Sequence, residues 1–121
     1  MRVLIIDDEE DIRHIARLSL SRVGGMEVIE AGSGPEGLRL AAETLPDAIL
    51  LDVMMPEMDG PSTLAALRSD PALAAIPVVF LSAKAMPSEL ERLVQLGARG
   101  ALAKPFDPMK LPAQFKAVLG G

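Results

Sequence analysis

The chain has 121 residues, half of them hydrophobic, a net charge of −5 and no cysteine, so we expect residues 1–121 to form a single domain with one core and no output domain. The absence of cysteine excludes disulfides and thiolate metal sites and suits a cytoplasmic protein. The acidic balance disfavours direct nucleic-acid binding, which needs a basic surface, and no apolar run approaches the ~20 residues that membrane insertion requires.

Five apolar runs alternate with five helical patterns along the chain. The predicted strands are short apolar runs bounded by turn residues, at residues 2–6, 26–31, 47–52, 76–81 and 99–103. The predicted helices have apolar residues at helical spacing and begin or end near Gly or Pro, at residues 12–23, 32–45, 61–68, 87–96 and 109–119. In the first helix this spacing predicts a buried stripe of Ile12, Ile15, Ala16, Ser19 and Val23.

The alternation of strands and helices specifies an α/β fold, with helices on both faces of a parallel sheet reached by right-handed crossovers. Strands 1, 3 and 4 are unbroken apolar runs, which are typical of the centre of such a sheet. Strands 2 and 5 contain Glu or Gly and are expected at its edges. The five-stranded order 2-1-3-4-5 meets this condition; it is the flavodoxin-like order, in which ligands bind at the carboxyl ends of the strands.

Polar side chains follow four of the predicted strands at this edge. Asp7 and Asp8 follow strand 1, Asp52 ends strand 3, Ser82 follows strand 4 and Lys104 follows strand 5. Clustered carboxylates repel one another and raise each other's pKa unless a cation lies among them. Carboxylate oxygens without His or Cys nearby suit Mg²⁺, which commonly binds one or two carboxylates, water and a phosphoryl oxygen.

These residues, in their order and spacing, resemble the signature of response-regulator receiver domains of two-component systems. The matching segments are Asp7-Asp8, the stretch from Asp52 to Gly60, Ser82-Ala83 and Lys104-Pro105-Phe106. The resemblance implies that Asp52 is the phosphoacceptor and takes a phosphoryl group from a phosphohistidine. The donor would be a sensor histidine kinase or a histidine phosphotransfer protein of a phosphorelay. Signalling would then proceed by contact with an unknown downstream protein.

The same resemblance implies the roles of the remaining site residues. Mg²⁺, or Mn²⁺ in its place, would be held by Asp7, Asp8, Asp52 and the backbone carbonyl of Met54. Lys104 and Ser82 would assist the phosphoryl transfer, so that the domain catalyses its own phosphorylation and dephosphorylation. The Lys104–Pro105 peptide bond would be cis.

One position departs from the family pattern. Receivers usually carry Tyr, Phe or His on strand 5, three residues before the Lys, and here that residue is Ala101. We therefore expect phosphoryl chemistry to survive and coupling to the strand 5 surface to weaken. A receiver-like interaction module that works without phosphorylation remains an alternative.

Two further classes fit the sequence less well. A flavodoxin-like protein that only binds a phosphate needs backbone donors in the loop after strand 1, but residues 7–11 are all acidic. A haloacid-dehalogenase-like phosphatase needs a second Asp where this chain has Met54. The neighbouring methionines leave two interpretations open: Met54, Met55 and Met58 either pack on the domain or form an adaptable surface for a kinase helix.

Overall fold

Five parallel strands form the centre of the structure, a computed structural model that describes residues 1–84 and 86–120. Their order is β2-β1-β3-β4-β5, which confirms the predicted flavodoxin-like arrangement. The strands are β1 (Arg2–Ile6), β2 (Glu27–Ala31), β3 (Ala48–Asp52), β4 (Val78–Ser82) and β5 (Gly100–Ala103).

Helices connect the strands and cover both faces of the sheet. They are α1 (Glu10–Leu18), α2 (Gly34–Thr44), α3 (Gly60–Ser69), α4 (Pro87–Gln95) and α5 (Leu111–Gly120), with a π-helical segment, Ser19–Val23, continuing α1. Helices α2 and α3 begin with side-chain caps. The Ser33 side chain accepts a hydrogen bond from the Glu36 amide, and the Asp59 side chain accepts one from the Ser62 amide. Among the described residues, none of the helices has the length and apolar character needed to cross a membrane.

The core lies on both sides of the sheet because successive strand residues point to opposite faces. Val3 and Ile5 pack with residues of α1 and α5, whereas Leu4 and Ile6 pack with residues of α2, α3 and α4. Every residue of β3 and β4 is buried, as expected for central strands. The carboxyl end of β3, where Asp52 lies, is therefore held by packing from both faces.

The first helix differs from the predicted stripe. Ile15 and Val23 are 41% and 48% exposed, whereas Leu20 is fully buried. In the π-helical segment the Gly24 amide bonds to the Ser19 carbonyl, a spacing of five residues. Leu20 lies on the same helix face as the buried Ala16, four residues earlier, and the wider turn places Val23 away from the sheet.

Gly60 allows the start of α3 to lie directly against the end of β3. Its amide donates to the Val53 carbonyl at 2.8 Å. A Cβ atom at this position would overlap the Asp52 carbonyl oxygen and lie 2.7 Å from a ring carbon of Phe80. A side chain here would therefore push α3 away from the strand that carries Asp52.

We expect Gly60→Ala to lower the free energy of unfolding by roughly 1–3 kcal/mol, because the added methyl group overpacks a buried contact. Urea unfolding followed by circular dichroism measures the change. Gly120→Ala is the matched control, because a Cβ atom there meets nothing within 4 Å. Wild-type stability in Gly60→Ala would show that α3 can shift without cost and would contradict this account of the packing.

Candidate functional site

The carboxyl ends of the parallel strands bring the predicted site residues together. Asp7 follows β1, Asp52 ends β3, Ser82 ends β4 and Lys104 follows β5. Carboxylate oxygens of Asp7, Asp8 and Asp52 lie within 4.8 Å of one another. Asp7 and Asp52 are buried, and Asp8 is exposed at the rim. The arrangement is an acidic cluster that is reached from one side.

Lys104 reaches into this cluster from β5. Its Nζ atom lies 3.1 Å from Asp7 Oδ2 and 3.4 Å from Asp52 Oδ2. It also lies 2.9 Å from Glu9 Oε1, an ion pair that the sequence analysis missed. The Lys104–Pro105 bond is cis, and the Lys104 amide donates to the Ser82 carbonyl at 2.9 Å. The five consecutive acids at 7–11 hint at a charged loop, but nothing in their order singles out Glu9.

The local environment changes the protonation of two of these groups. Burial raises the pKa of Asp52 from 3.8 to about 6; the Asp7 charge adds to the increase, and Lys104 offsets part of it. Burial lowers the pKa of the Lys104 ammonium, but its hydrogen bonds to Glu9 and Asp7 and the charges of Asp7 and Asp52 raise it more. Lys104 is therefore charged, and Asp52 is mostly ionised at neutral pH.

The acidic cluster has the donor chemistry that a divalent cation requires. Several carboxylates face one ammonium group, so negative charge remains in excess. Hard oxygen ligands with room for water are what Mg²⁺ prefers. Asp7, Asp8 and Asp52 fit such an ion. The Met54 amide lies 3.4 Å from Asp52 Oδ1, so this part of the loop lies beside the cluster. That the Met54 carbonyl binds the metal ion stays a prediction.

Ser82 is buried at the end of β4 and is held by the loop that follows. Its hydroxyl donates to the Lys84 carbonyl and accepts from the Lys84 amide, both at 3.1 Å. The hydroxyl proton is thus already in use. A new acceptor in the cleft has to displace the Lys84 carbonyl, and the loop from Ser82 to Lys84 would change with it.

An open cleft of about 720 Å³ lies above Asp52, Ser82 and Lys104, between the loop after β3 and helix α4. Two of the three loop methionines, Met54 and Met55, line it. Met54 is 70% exposed, whereas Met55 is buried in the core. Met58 lies against Gly34. Met55 and Met58 therefore pack on the domain, and the interpretation as a surface for a kinase helix stays a prediction for the exposed Met54 alone.

Comparison with known proteins decides the family. The sequence profile of the response regulator receiver domain matches residues 3–116, nearly the whole chain. The chain belongs to the response-regulator receiver family. This confirms the resemblance that the signature residues carry.

Relatives of this receiver domain include short and long proteins. A probable chemotaxis protein CheY from Rhizobium etli is 33% identical over 120 residues, which cover 99% of this chain and 93% of the relative. The transcriptional regulatory protein PrrA from Mycobacterium leprae is 42% identical over 118 residues, 98% of this chain but 49% of PrrA. This chain spans about half the length of several curated relatives that it matches.

A solved structure agrees closely with the fold. The chemotaxis response regulator CheY4 of Vibrio cholerae superposes with a TM-score of 0.90 at 33% identity, and the match covers 98% of both chains.

A small, partly open pocket lies beside Ala101, the position that departs from the family pattern. Ala101 is partly buried against the core cluster on the α4 side of the sheet. Next to it lies a cavity of about 70 Å³, which is lined by Ser82, Lys84, Leu90, Ala101, Leu102 and Ala103. This is the region between the Ser82 loop and β5 where a side chain at position 101 would extend.

The raised pKa of Asp52 predicts that its charge destabilises the metal-free fold. The Asp52 carboxyl binds a proton more tightly in the folded protein than in the unfolded chain. Its favourable contribution to the free energy of unfolding is therefore fully present below about pH 4 and is lost as the pH rises through about 6. In metal-free buffer at about pH 7 we expect Asp52→Asn to be more stable than wild type by roughly 1–2 kcal/mol, since solvent in the cleft screens part of the charge. The difference should shrink toward about pH 5.

Urea unfolding in EDTA at both pH values measures this difference. Glu91→Gln serves as the control, because it removes one negative charge from the exposed surface of α4. An Asp52→Asn protein no more stable than wild type at neutral pH would show that Lys104 fully compensates the buried charge.

Proposed function

We propose that this receiver domain accepts a phosphoryl group on Asp52. The observation that carries the proposal is the position of the Asp52 carboxylate, 3.4 Å from the Lys104 ammonium and beside the Asp7–Asp8 pair, at the floor of an open cleft. A carboxylate held in this way can act as a nucleophile. The family membership of the chain supports the same role.

In the proposed step, an Asp52 oxygen attacks the phosphorus atom of a phosphohistidine. The new O–P bond forms as the N–P bond breaks, and the electron pair leaves with the imidazole, which then takes up a proton. The other residues of the site form no covalent bond to the phosphoryl group, so they contribute to catalysis by positioning and electrostatic stabilisation. Lys104 offsets the charge on the phosphoryl oxygens.

Asp7, Asp8, Asp52 and the Met54 carbonyl would hold Mg²⁺, or Mn²⁺ in its place. The bound ion would supply further positive charge next to the phosphoryl oxygens. The donor would be a sensor histidine kinase or a histidine phosphotransfer protein, and the exposed Met54 at the mouth of the cleft is available to contact it. The output would be a contact with a further protein.

Ser82 supplies the conformational response in this proposal. Its hydroxyl would leave the Lys84 carbonyl and donate to a phosphoryl oxygen, a contact that exists only in the phosphorylated state. A ligand shifts a conformational equilibrium only through such differential contacts. Ala101 has no rotatable side chain that could follow the Ser82 loop inward, so the response would remain near the cleft.

A receiver-like module that works without phosphorylation is the second candidate. Ala101 and the cavity beside it favour this candidate, because they remove a part through which receivers usually report phosphorylation. The two candidates differ in one observable, the phosphoryl group on Asp52.

Incubation with acetyl phosphate and Mg²⁺ should add one phosphoryl group to the wild-type protein, and EDTA should prevent it. Intact-mass spectrometry detects the adduct. Asp52→Asn should show none, because the nucleophile is gone. Glu89→Gln, which alters another acid of the same cleft, should keep the adduct. An undiminished adduct in Asp52→Asn, or none in wild type, would count against the proposal; the latter result favours the second candidate.

Beryllofluoride, a stand-in for the phosphoryl group, should cause amide chemical-shift changes concentrated at residues 52–59 and 82–87, of which residue 85 lies outside the described residues. Changes near Leu102 and in α5 should be smaller, since Ala101 has no side chain to transmit the movement. Nitrogen–proton correlation spectra with and without the reagent measure them. Ala101→Tyr should enlarge the changes on β5. Equally large changes on α5 in the wild type would show that another element carries the response.

A further inference from the structure

The Lys104 ammonium group has three carboxylate neighbours. The distances from Nζ are 2.9 Å to Glu9, 3.1 Å to Asp7 and 3.4 Å to Asp52. Two of the three donors of the ammonium group form hydrogen bonds, to Glu9 and Asp7, and Asp52 is the more distant ion-pair partner. A phosphoryl oxygen on Asp52 would draw Lys104 toward Asp52, against the hydrogen bonds that hold the ammonium group to Glu9 and Asp7.

Glu9 is the neighbour that can leave most readily. Its side chain is 58% exposed, whereas the side chains of Asp7 and Asp52 are almost completely buried. A released Glu9 carboxylate is hydrated at once, but a buried carboxylate without a partner is costly. Asp52 is also the group that receives the phosphoryl group in the proposed function. Glu9 is therefore the carboxylate that we expect to release Lys104 when a phosphoryl oxygen binds.

The backbone of Glu9 fixes the position from which its side chain reaches Lys104. The amide donates to Asp7 Oδ1 at 2.9 Å, and the carbonyl accepts from the Arg13 amide at 2.9 Å. Glu9 stands at the N-cap of α1, yet its side chain makes no capping hydrogen bond. The carboxylate instead extends over the cleft to Lys104.

We propose that Glu9 is a positioning residue that competes with the phosphoryl group for Lys104. The inference rests on the proposed function, and it adds a residue that sets how strongly the site holds a phosphoryl group. With Glu9 bound, one of the hydrogen bonds of Lys104 is directed to a residue at the rim of the cleft. Each phosphoryl group that enters has to exchange this ion pair for its own contact, which lowers the affinity of the site for phosphoryl-like anions.

The affinity for beryllofluoride in saturating Mg²⁺, measured by isothermal titration calorimetry on the whole chain, tests this competition. Glu9→Gln keeps the length of the side chain and removes the charge that holds Lys104. An exposed ion pair contributes at most about 1 kcal/mol, so we expect the Kd of Glu9→Gln for beryllofluoride to be about two- to fivefold lower than that of the wild type. Glu10→Gln is the matched control, since Glu10 is exposed and adjacent, and it should leave Kd unchanged.

Glu9→Asp distinguishes the loss of the contact with Lys104 from the loss of a negative charge. It keeps the negative charge, but its shorter side chain cannot reach Lys104 from the same backbone position. We therefore expect Glu9→Asp to bind beryllofluoride more tightly than wild type, as Glu9→Gln does. A merely structural role of Glu9 would act in the opposite direction, because a loosened loop after β1 would weaken binding.

Unchanged or weaker binding in Glu9→Gln overturns the proposal. Wild-type affinity in Glu9→Asp together with tighter binding in Glu9→Gln also overturns it, because general charge repulsion would then explain the effect. If the wild type binds beryllofluoride, these results bear on Glu9 alone. A wild type that binds none would reject the proposed function itself, and the Glu9 proposal with it.

Discussion

The ion pairs between Lys104 and the carboxylates of Asp7 and Asp52 are the interaction on which the site depends. Two carboxylates at the ends of neighbouring central strands repel each other and are poorly hydrated, and a nearby cation is what makes their burial tolerable. Lys104 can supply that cation because β5 pairs with β4 and the Lys104 amide is bonded to the Ser82 carbonyl. The compensation is incomplete, since Asp52 keeps a raised pKa. A site of this kind is suited to gain a divalent cation and a phosphoryl group.

The rest of the fold separates a rigid part from an adaptable part. β3 and β4 are buried at every position, and Gly60 lets α3 pack directly on the end of β3. Asp52 is thereby held on a strand that cannot move without disturbing both faces of the core. The groups that can change partners lie in the loops above it: Ser82 bonds to Lys84, and Glu9 extends from the loop after β1. This division fits a domain whose chemistry requires fixed geometry and whose signal requires movement.

Ala101 sets this chain apart within its family. Receiver domains usually place an aromatic side chain at this point of strand 5, and here a small cavity lies between Ser82 and β5. The long relatives, such as PrrA, are about twice the length of the matched region, whereas the probable CheY of Rhizobium etli is matched over nearly its full length. Both kinds of relative match this chain over almost its whole length. Under the proposed function, the strand 5 surface that would report the phosphorylation of Asp52 is where we expect this domain to differ.

Much of the architecture follows from the sequence alone. Apolar runs with flanking Gly and Pro identify the strands, and the polar residues in β2 and the Gly in β5 assign those strands to the edges, because local periodicity and side-chain polarity report burial directly. Asp7, Asp8, Asp52, Ser82 and Lys104 could be placed together for the same reason, since parallel strands end at one edge.

Tertiary packing decided the rest. Val23 lies outside the core because a π-helical turn changes the helix register, which no local pattern predicts. The ion pair of Glu9 with Lys104 joins residues 95 positions apart in the chain. Its existence depends on where the loop after β1 and the end of β5 meet, and only the folded chain brings them within a hydrogen bond of each other.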